Sequence, residues 1–172
     1  MDAQRAAEAN KRLYLPPPII QTIVPTSQEQ PQTWRYTTNK PGEGWQSADF
    51  DDSIWRRGRA GFGTKGTPGA IVRTEWKTSD IWLRRTFKLK DVQWDQPRLM
   101  IHHDEDAEVY INGRLVSKLD GYTSSYVPFA LKEKARSVLK PGSNCLAIHC
   151  HQSTGGQYID AGLVNLKERS KK

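Results

Sequence analysis

The sequence predicts an all-β chain folded as an antiparallel β-sandwich with an N-terminal extension. From Trp34 onward, short apolar runs rich in β-branched and aromatic residues alternate with Gly, Pro, Asn and Asp. About seven or eight of these runs have strand length, and turn signals separate them. Only Lys132–Leu139 reads as a short helix, and no internal repeat is visible.

The chain begins with a different texture. Asp2–Leu13 reads as a short helix, with Asp2 as its N-cap and alanines behind it. Pro16, Pro17 and Pro18 force an extended stretch, and Pro25, Thr26, Ser27 and Pro31 continue the linker character. Residues 1–32 are therefore expected to be a helix and proline-rich linker, residues 33–168 the sandwich, and residues 169–172 a basic tail.

Within the sandwich the expected strands are Ile81–Leu89, Pro97–His103, Ala107–Ile111, Arg114–Lys118, Tyr126–Leu131, Asn144–Gln152 and Gly162–Leu166. RLMIHH and NCLAIHC are apolar on both faces, which places those strands centrally, covered on both sides. Asn112-Gly113 between AEVYI and RLV is the sharpest local signal. That pair suits a two-residue type I′ hairpin because both positions need positive φ. Pro141-Gly142-Ser143-Asn144 marks a second turn. In IWLRRTFKL, Arg85 shares a face with Leu83, Phe87 and Leu89, so it should need a carboxylate from Asp104, Asp106 or Asp160. Cys145 and Cys150 are separated by an odd number of strand positions. They should lie on opposite faces as two free, buried thiols.

Composition narrows the functional classes. The 172 residues hold 26 Lys and Arg against 19 Asp and Glu, a net charge of +7. The excess is concentrated at the ends, notably in KERSKK, and no zinc-finger spacing, RNA-recognition signature or basic helix occurs, so nucleic acid is not an expected partner. No apolar run approaches a membrane span, and residues 1–18 contain no signal-peptide apolar region.

Five ordered blocks resemble a known family. They are Phe50-Asp51-Asp52-Ser53-x-Trp55, then Ile81 to Phe87 (IWLRRTF), Ala107 to Gly113 (AEVYING), Gly121-Tyr122, and Leu139 to Ala147 (LKPGSNCLA). Together, over roughly Trp34–Leu166, they are similar to the galactose-binding-like jelly roll. The nearest form is the non-catalytic sugar-binding domain that accompanies β-galactosidases and other family-two glycoside hydrolases. HHDEDA (His102–Ala107) and GGQYIDAG (Gly155–Gly162) depart from that form and resemble modules appended to large bacterial secreted proteins. The resemblance implies a jelly roll that binds an oligo- or polysaccharide beside a neighbouring catalytic domain, in an extracellular or periplasmic setting. It also implies a structural calcium ion as a cofactor to be tested.

Candidate sugar contacts follow from chemistry and from this resemblance. Aromatic faces stack on sugar C–H surfaces, and a few placed polar groups match hydroxyls. Trp76 in the 64–80 loop and Tyr122 and Tyr126 after the hairpin are the aromatic candidates, with Gln157 and Tyr158 in the Gly-rich loop. His103, Asp104 and Asp106 offer polar contacts, and His151 and Asp160 approach from the other side. The resemblance puts Asp160 where β-galactosidases carry an acidic residue near substrate. Asp104, Glu105 and Asp106 read either as a loop cap or as oxygen ligands for a hard cation, although no EF-hand loop is present. His149 and His151 share a strand face, a two-ligand geometry that His102 or His103 would have to complete.

Catalytic patterns are missing. There is no G-x-S-x-G, and the three clustered acids sit on one loop rather than flanking a sugar. The expected role is a non-catalytic carbohydrate-binding or accessory module of a larger glycoside-hydrolase-type protein. The alternative is a structural domain that packs on a parent enzyme or partner without a ligand of its own.

Overall fold

A computed structural model of the chain describes residues 17–131 and 133–169. In chain order the first strands are β1 (Ile19–Val24), β2 (Thr33–Thr37), β3 (Arg56–Arg59), β4 (Phe62–Gly63), β5 (Thr74–Glu75) and β6 (Asp80–Leu89). They are followed by β7 (Gln96–Asp104), β8 (Asp106–Ile111), β9 (Arg114–Leu119) and β10 (Val127–Ala130). A single helical turn, α1 (Glu133–Arg136), precedes β11 (Gly142–His151) and β12 (Tyr158–Lys167). One sheet runs β10-β7-β12-β4-β5 with β1 also paired to β12, and the other runs β3-β2-β6-β11-β8-β9. Every pairing is antiparallel except the short β4–β5 bridge.

The two sheets close on alternate residues of their strands. Leu99 and Ile101 of β7 and Ile159, Ala161 and Leu163 of β12 come from one side of the core. Ile81 and Leu83 of β6, Val109 and Ile111 of β8 and Leu146 and Ile148 of β11 come from the other. The two-faced apolar strands are central as expected: β7 lies between β10 and β12, and β11 between β6 and β8. Cys145 and Cys150 are free and buried, with Cys150 in the core cluster and Cys145 on the opposite face of β11. Asn112 (φ 49) and Gly113 (φ 83) form the tight β8–β9 turn, where Ile111 pairs with Arg114. The Asn112 side chain also fastens this turn to the sheet. Its amide donates to Val138 O (2.7 Å) and Asn144 Oδ1 (2.8 Å), and its oxygen accepts the Cys145 N–H (2.8 Å).

Several expectations need correction. The segment read as linker contributes β1, whose residues 19–24 pair with β12 along Leu163–Lys167. IIQTIV is β-branched enough to add an edge strand, and the prolines around it mark its ends rather than a linker. The expected helix at Asp2–Leu13 lies outside the described residues, as do 170–172 of the basic tail. The expected helix at Lys132–Leu139 is only the α1 turn. β2, β3, β4 and β5 were not foreseen, because they are polar or two residues long.

Arg85 is half-buried and satisfied mainly by neutral oxygens. It donates to Pro25 O (2.8 Å) and Gln32 Oε1 (2.8 Å), while Asp160 acts on it only through space. The arginine that takes a carboxylate is its neighbour Arg84, which is 2% exposed on the opposite face of β6. Arg84 Nε donates to Asp52 Oδ2 at 2.9 Å, and its terminal nitrogens reach the carbonyls of Trp45, Ser47 and Phe50. The 45–52 segment is thereby held over the outer face of β6 and β11. Asp51 caps a turn, its carboxylate accepting the Ser53 N–H at 2.9 Å, whereas Asp52 is the counter-ion. Asp52→Ala leaves a desolvated guanidinium with carbonyls alone, a loss of about 2 kcal/mol in urea unfolding. An unchanged midpoint would show that the carbonyls suffice.

Candidate functional site

A cleft of about 370 Å³ opens at one end of the sandwich. Its position follows from register: Asp104 ends β7 opposite Tyr158, which starts β12, so the loops leaving β7 and entering β12 meet there. Pro68, Asp104, Glu105, Tyr122, Thr123, Ser124 and the Thr154–Gly156 loop line it. Tyr122 is 71% exposed and offers its ring to solvent. Thr123 is tied down, its N–H donating to His103 O (2.8 Å) and its Oγ1 accepting the His103 N–H (3.2 Å).

Asp104 is the unusual group in this cleft. It is 8% exposed, and no described residue donates a hydrogen bond to its carboxylate. Burial raises its pKa, the Glu105 charge adds to that, and His103 partly offsets it. Gly156 lets the Gly-rich loop pass close by, since a Cβ there would stand 2.5 Å from Asp104 Oδ2.

The other two acids of the cluster are engaged elsewhere. The Glu105 carboxylate accepts the Ser153 N–H (2.9 Å) and the Ser153 hydroxyl, and Asp106 Oδ1 accepts the Gly121 N–H (2.7 Å). These two cap loops, and the three carboxylates do not converge. Among the described residues no group of three His, Cys, Asp or Glu side chains is placed to hold a metal ion. The three acids therefore do not form one shared set of cation ligands.

Beneath the cleft lies a buried polar set on the face of β7 and β12 turned away from the apolar core. Asp160 and His102 are cross-strand partners. Asp160 Oδ2 accepts the Ser27 N–H (2.6 Å) and the Tyr126 O–H (2.6 Å), and Tyr126 and Tyr158 share a hydroxyl contact at 3.1 Å. His102 packs against Tyr158 and Tyr126, with ring centroids 4.5 and 5.6 Å away. Neither ring nitrogen of His102 nor Asp160 Oδ1 makes a well-formed hydrogen bond among the described residues. Burial lowers the His102 pKa against the pull of the Thr123 backbone. It pushes Asp160 up to about 6, although Tyr126, the Ser27 and Ala161 amides and Arg85 all favour its charged form.

The predicted sugar contacts thus fall into separate places. Asp104 and Tyr122 meet in the cleft. Tyr158 and Asp160 are buried in the polar set and Tyr126 is half-buried beside them, so these three form its support rather than its surface. Asp106 and His151 line a smaller groove of about 150 Å³ on the other sheet. His149 Nε2 and His151 Nδ1 both contact Asp80 Oδ1 (2.7 and 3.0 Å). His102 and His103 lie on the opposite sheet and do not complete that pair.

Trp76 is a correction. It is 2% exposed, and its Nε1–H donates to Thr78 Oγ1 (3.0 Å) and Asp80 O (3.2 Å), so its face belongs to the core. Gln157 is buried as well, donating from Nε2 to Thr78 O and from its backbone to Thr67 Oγ1 (2.9 Å). His103 is buried and donates from Nδ1 to Glu105 O (2.6 Å), which holds the loop beside Asp104. Pro68, Ser124 and Thr154 carried no signal as site residues, since ordinary loop composition supplies them.

No family model matches the chain. A curated α-L-rhamnosidase of Streptomyces avermitilis is 28% identical over 122 residues, which cover 68% of this chain and 12% of that protein. Among solved structures, a glycosyl hydrolase family 2 member from Bacteroides cellulosilyticus superposes with a TM-score of 0.57 at 16% identity, over 87% of this chain and 21% of that one. The Bacteroides uniformis β-glucuronidase gives 0.56 at 20% identity, over 80% and 18%. A Bifidobacterium dentium β-glucuronidase complexed with coumarin-3-O-glucuronide gives 0.54 at 17% identity, over 81% and 21%. The chain therefore has a β-sandwich fold that also occurs within family-two glycoside hydrolases. It spans about a fifth or less of the proteins it matches.

Asp160 gives a pH test. Its folded pKa lies above the ordinary 3.8, so the folded chain keeps a proton that the unfolded chain has lost. The stability this group supplies is present below about pH 4 and is lost as pH rises to about 6, on the order of 3 kcal/mol. Urea unfolding of wild type and Asp160→Asn at acid and neutral pH should show the wild type losing that amount relative to the variant. Parallel pH profiles would contradict it.

Proposed function

We propose that this chain is a non-catalytic accessory domain of a larger glycoside-hydrolase-type protein and binds carbohydrate at the end cleft. The observation that carries the proposal is the pairing, in one concave site, of an exposed tyrosine ring with a buried, unpartnered carboxylate. Stacking on Tyr122 and donation of sugar hydroxyls to Asp104 would use both. The kinship in fold with glycoside hydrolases, and the small share of their length covered, support an accessory role.

Catalysis by the chain alone is not proposed. Glycoside hydrolysis needs two carboxyl groups on opposite sides of the scissile bond. Here the two carboxylates lining the cleft are sequence neighbours, and Glu105 is held by Ser153.

A second reading, packing on a parent enzyme, is favoured by Ile54. It is 91% exposed and lines a cleft of about 340 Å³ together with residues 36–42, 50–51 and 55–56. In that reading the Ile54 tip is an interdomain anchor and the end cleft holds no ligand.

Titration calorimetry with neutral oligosaccharides tests the first reading. Tyr122→Ala should weaken binding about tenfold at unchanged stability, the loss of one stacking contact. Trp76→Ala should instead lower stability by about 3–5 kcal/mol, as removal of a core tryptophan does. Saccharide binding that survives Tyr122→Ala undiminished would move the site elsewhere.

A further inference from the structure

We infer that the end cleft selects saccharides by charge, favouring free amino sugars over neutral sugars and rejecting uronic acids. This rests on the reading of the cleft as a sugar site and deepens it.

The lining holds two carboxylates, Asp104 and Glu105, and no lysine or arginine. Glu105 is only half-buried and accepts both bonds from Ser153 on Oε2, which anchors it to that loop and leaves Oε1 to water. Asp104 is different: it lies more than nine-tenths buried against the cleft and receives no hydrogen bond from a described residue. An ionised carboxylate is an acceptor only. What completes it is a donor, and an ammonium group completes it best, because a charge-assisted hydrogen bond is roughly twice as strong as a neutral one. Burial and the Glu105 charge both disfavour the ionised form of Asp104, and a bound cation relieves both. The remaining polar lining, the hydroxyls of Ser124 and Thr154, matches sugar hydroxyls without adding charge.

The same lining works against anions. A uronate carboxylate entering the cleft meets two negative charges and no cation, and like-charge juxtaposition is strongly penalised at partly desolvated sites. The whole chain carries +7, so distant charge attracts polyanions while this cleft repels them. Selectivity here is set locally, against the sign of the net charge. The comparison with β-glucuronidases therefore does not extend to the charge of the preferred ligand.

The test titrates the full chain with glucosamine, methyl glucoside and glucuronate near neutral pH, following NMR shifts at Tyr122 and Gly155. Glucosamine should shift these signals at the lowest concentration, methyl glucoside next, and glucuronate at least about tenfold higher than methyl glucoside. In Asp104→Asn, which keeps the shape, the preference for glucosamine over methyl glucoside should disappear. Glu105→Gln, checked for an unchanged melting temperature, should narrow the gap between methyl glucoside and glucuronate. Glucuronate shifting Tyr122 and Gly155 as readily as methyl glucoside would overturn the charge selection while leaving the sugar site in place. A glucosamine preference unmoved by Asp104→Asn would do the same. No shift with any of the three sugars at tens of millimolar would overturn the sugar site and the selection together.

Discussion

Strand β12 is buried on both faces along Tyr158–Val164, and the rest of the structure is arranged around that demand. Its inward residues Ile159, Ala161 and Leu163 meet the core. Its outward residues include Asp160, a carboxylate that water cannot reach and that must find donors in the protein. Ser27 and Tyr126 supply them, so the segment after β1 and the approach to β10 are both fixed to one oxygen. Gly162 has no room for a side chain, because the backbone of Val24 and Thr26 lies directly over it. The cover over β12 is therefore specified by polar bonds and close approach as well as by apolar burial.

The same cover shapes the candidate site. Gln157 at the entry to β12 ties the 64–67 turn and Thr78 to the Gly-rich loop, and Gly69 lies against Ser124 and His102. These contacts fix the loops at that end of the sandwich, and the cleft opens between them. Buried His103, Gln157 and Tyr158 act as its frame, and Asp104 and Tyr122 line it. A binding surface on such a fold needs few residues, because the sheets beneath fix their directions.

The opposite sheet solves the same problem with a different charge. Arg84 lies on the outer face of β6, and the 45–52 segment folds over it to supply Asp52 and three carbonyls. Trp45 then packs edge-on against Tyr110 of β8, extending the cover. Each sheet is thus sealed by a loop held on a buried charged side chain.

The sequence by itself determined seven of the strands and the central place of β7 and β11, because alternation, β-branched content and the Asn112-Gly113 turn are local properties. It also separated Cys145 from Cys150 by parity alone. It did not reveal β1 or the polar strands β2 and β3, whose place is set by partners far along the chain. Nor could it say which of the adjacent Arg84 and Arg85 would take a carboxylate, since that depends on a loop more than thirty residues away. For the candidate site, the sequence named Asp104 and Tyr122, which the structure brings together in the end cleft. It offered Trp76, Tyr158 and Asp160 as contacts as well, because an aromatic or acidic residue in a loop-rich stretch looks the same whether it ends in a wall or in water. Only the tertiary structure decides that, through which face of β12 is covered and by what.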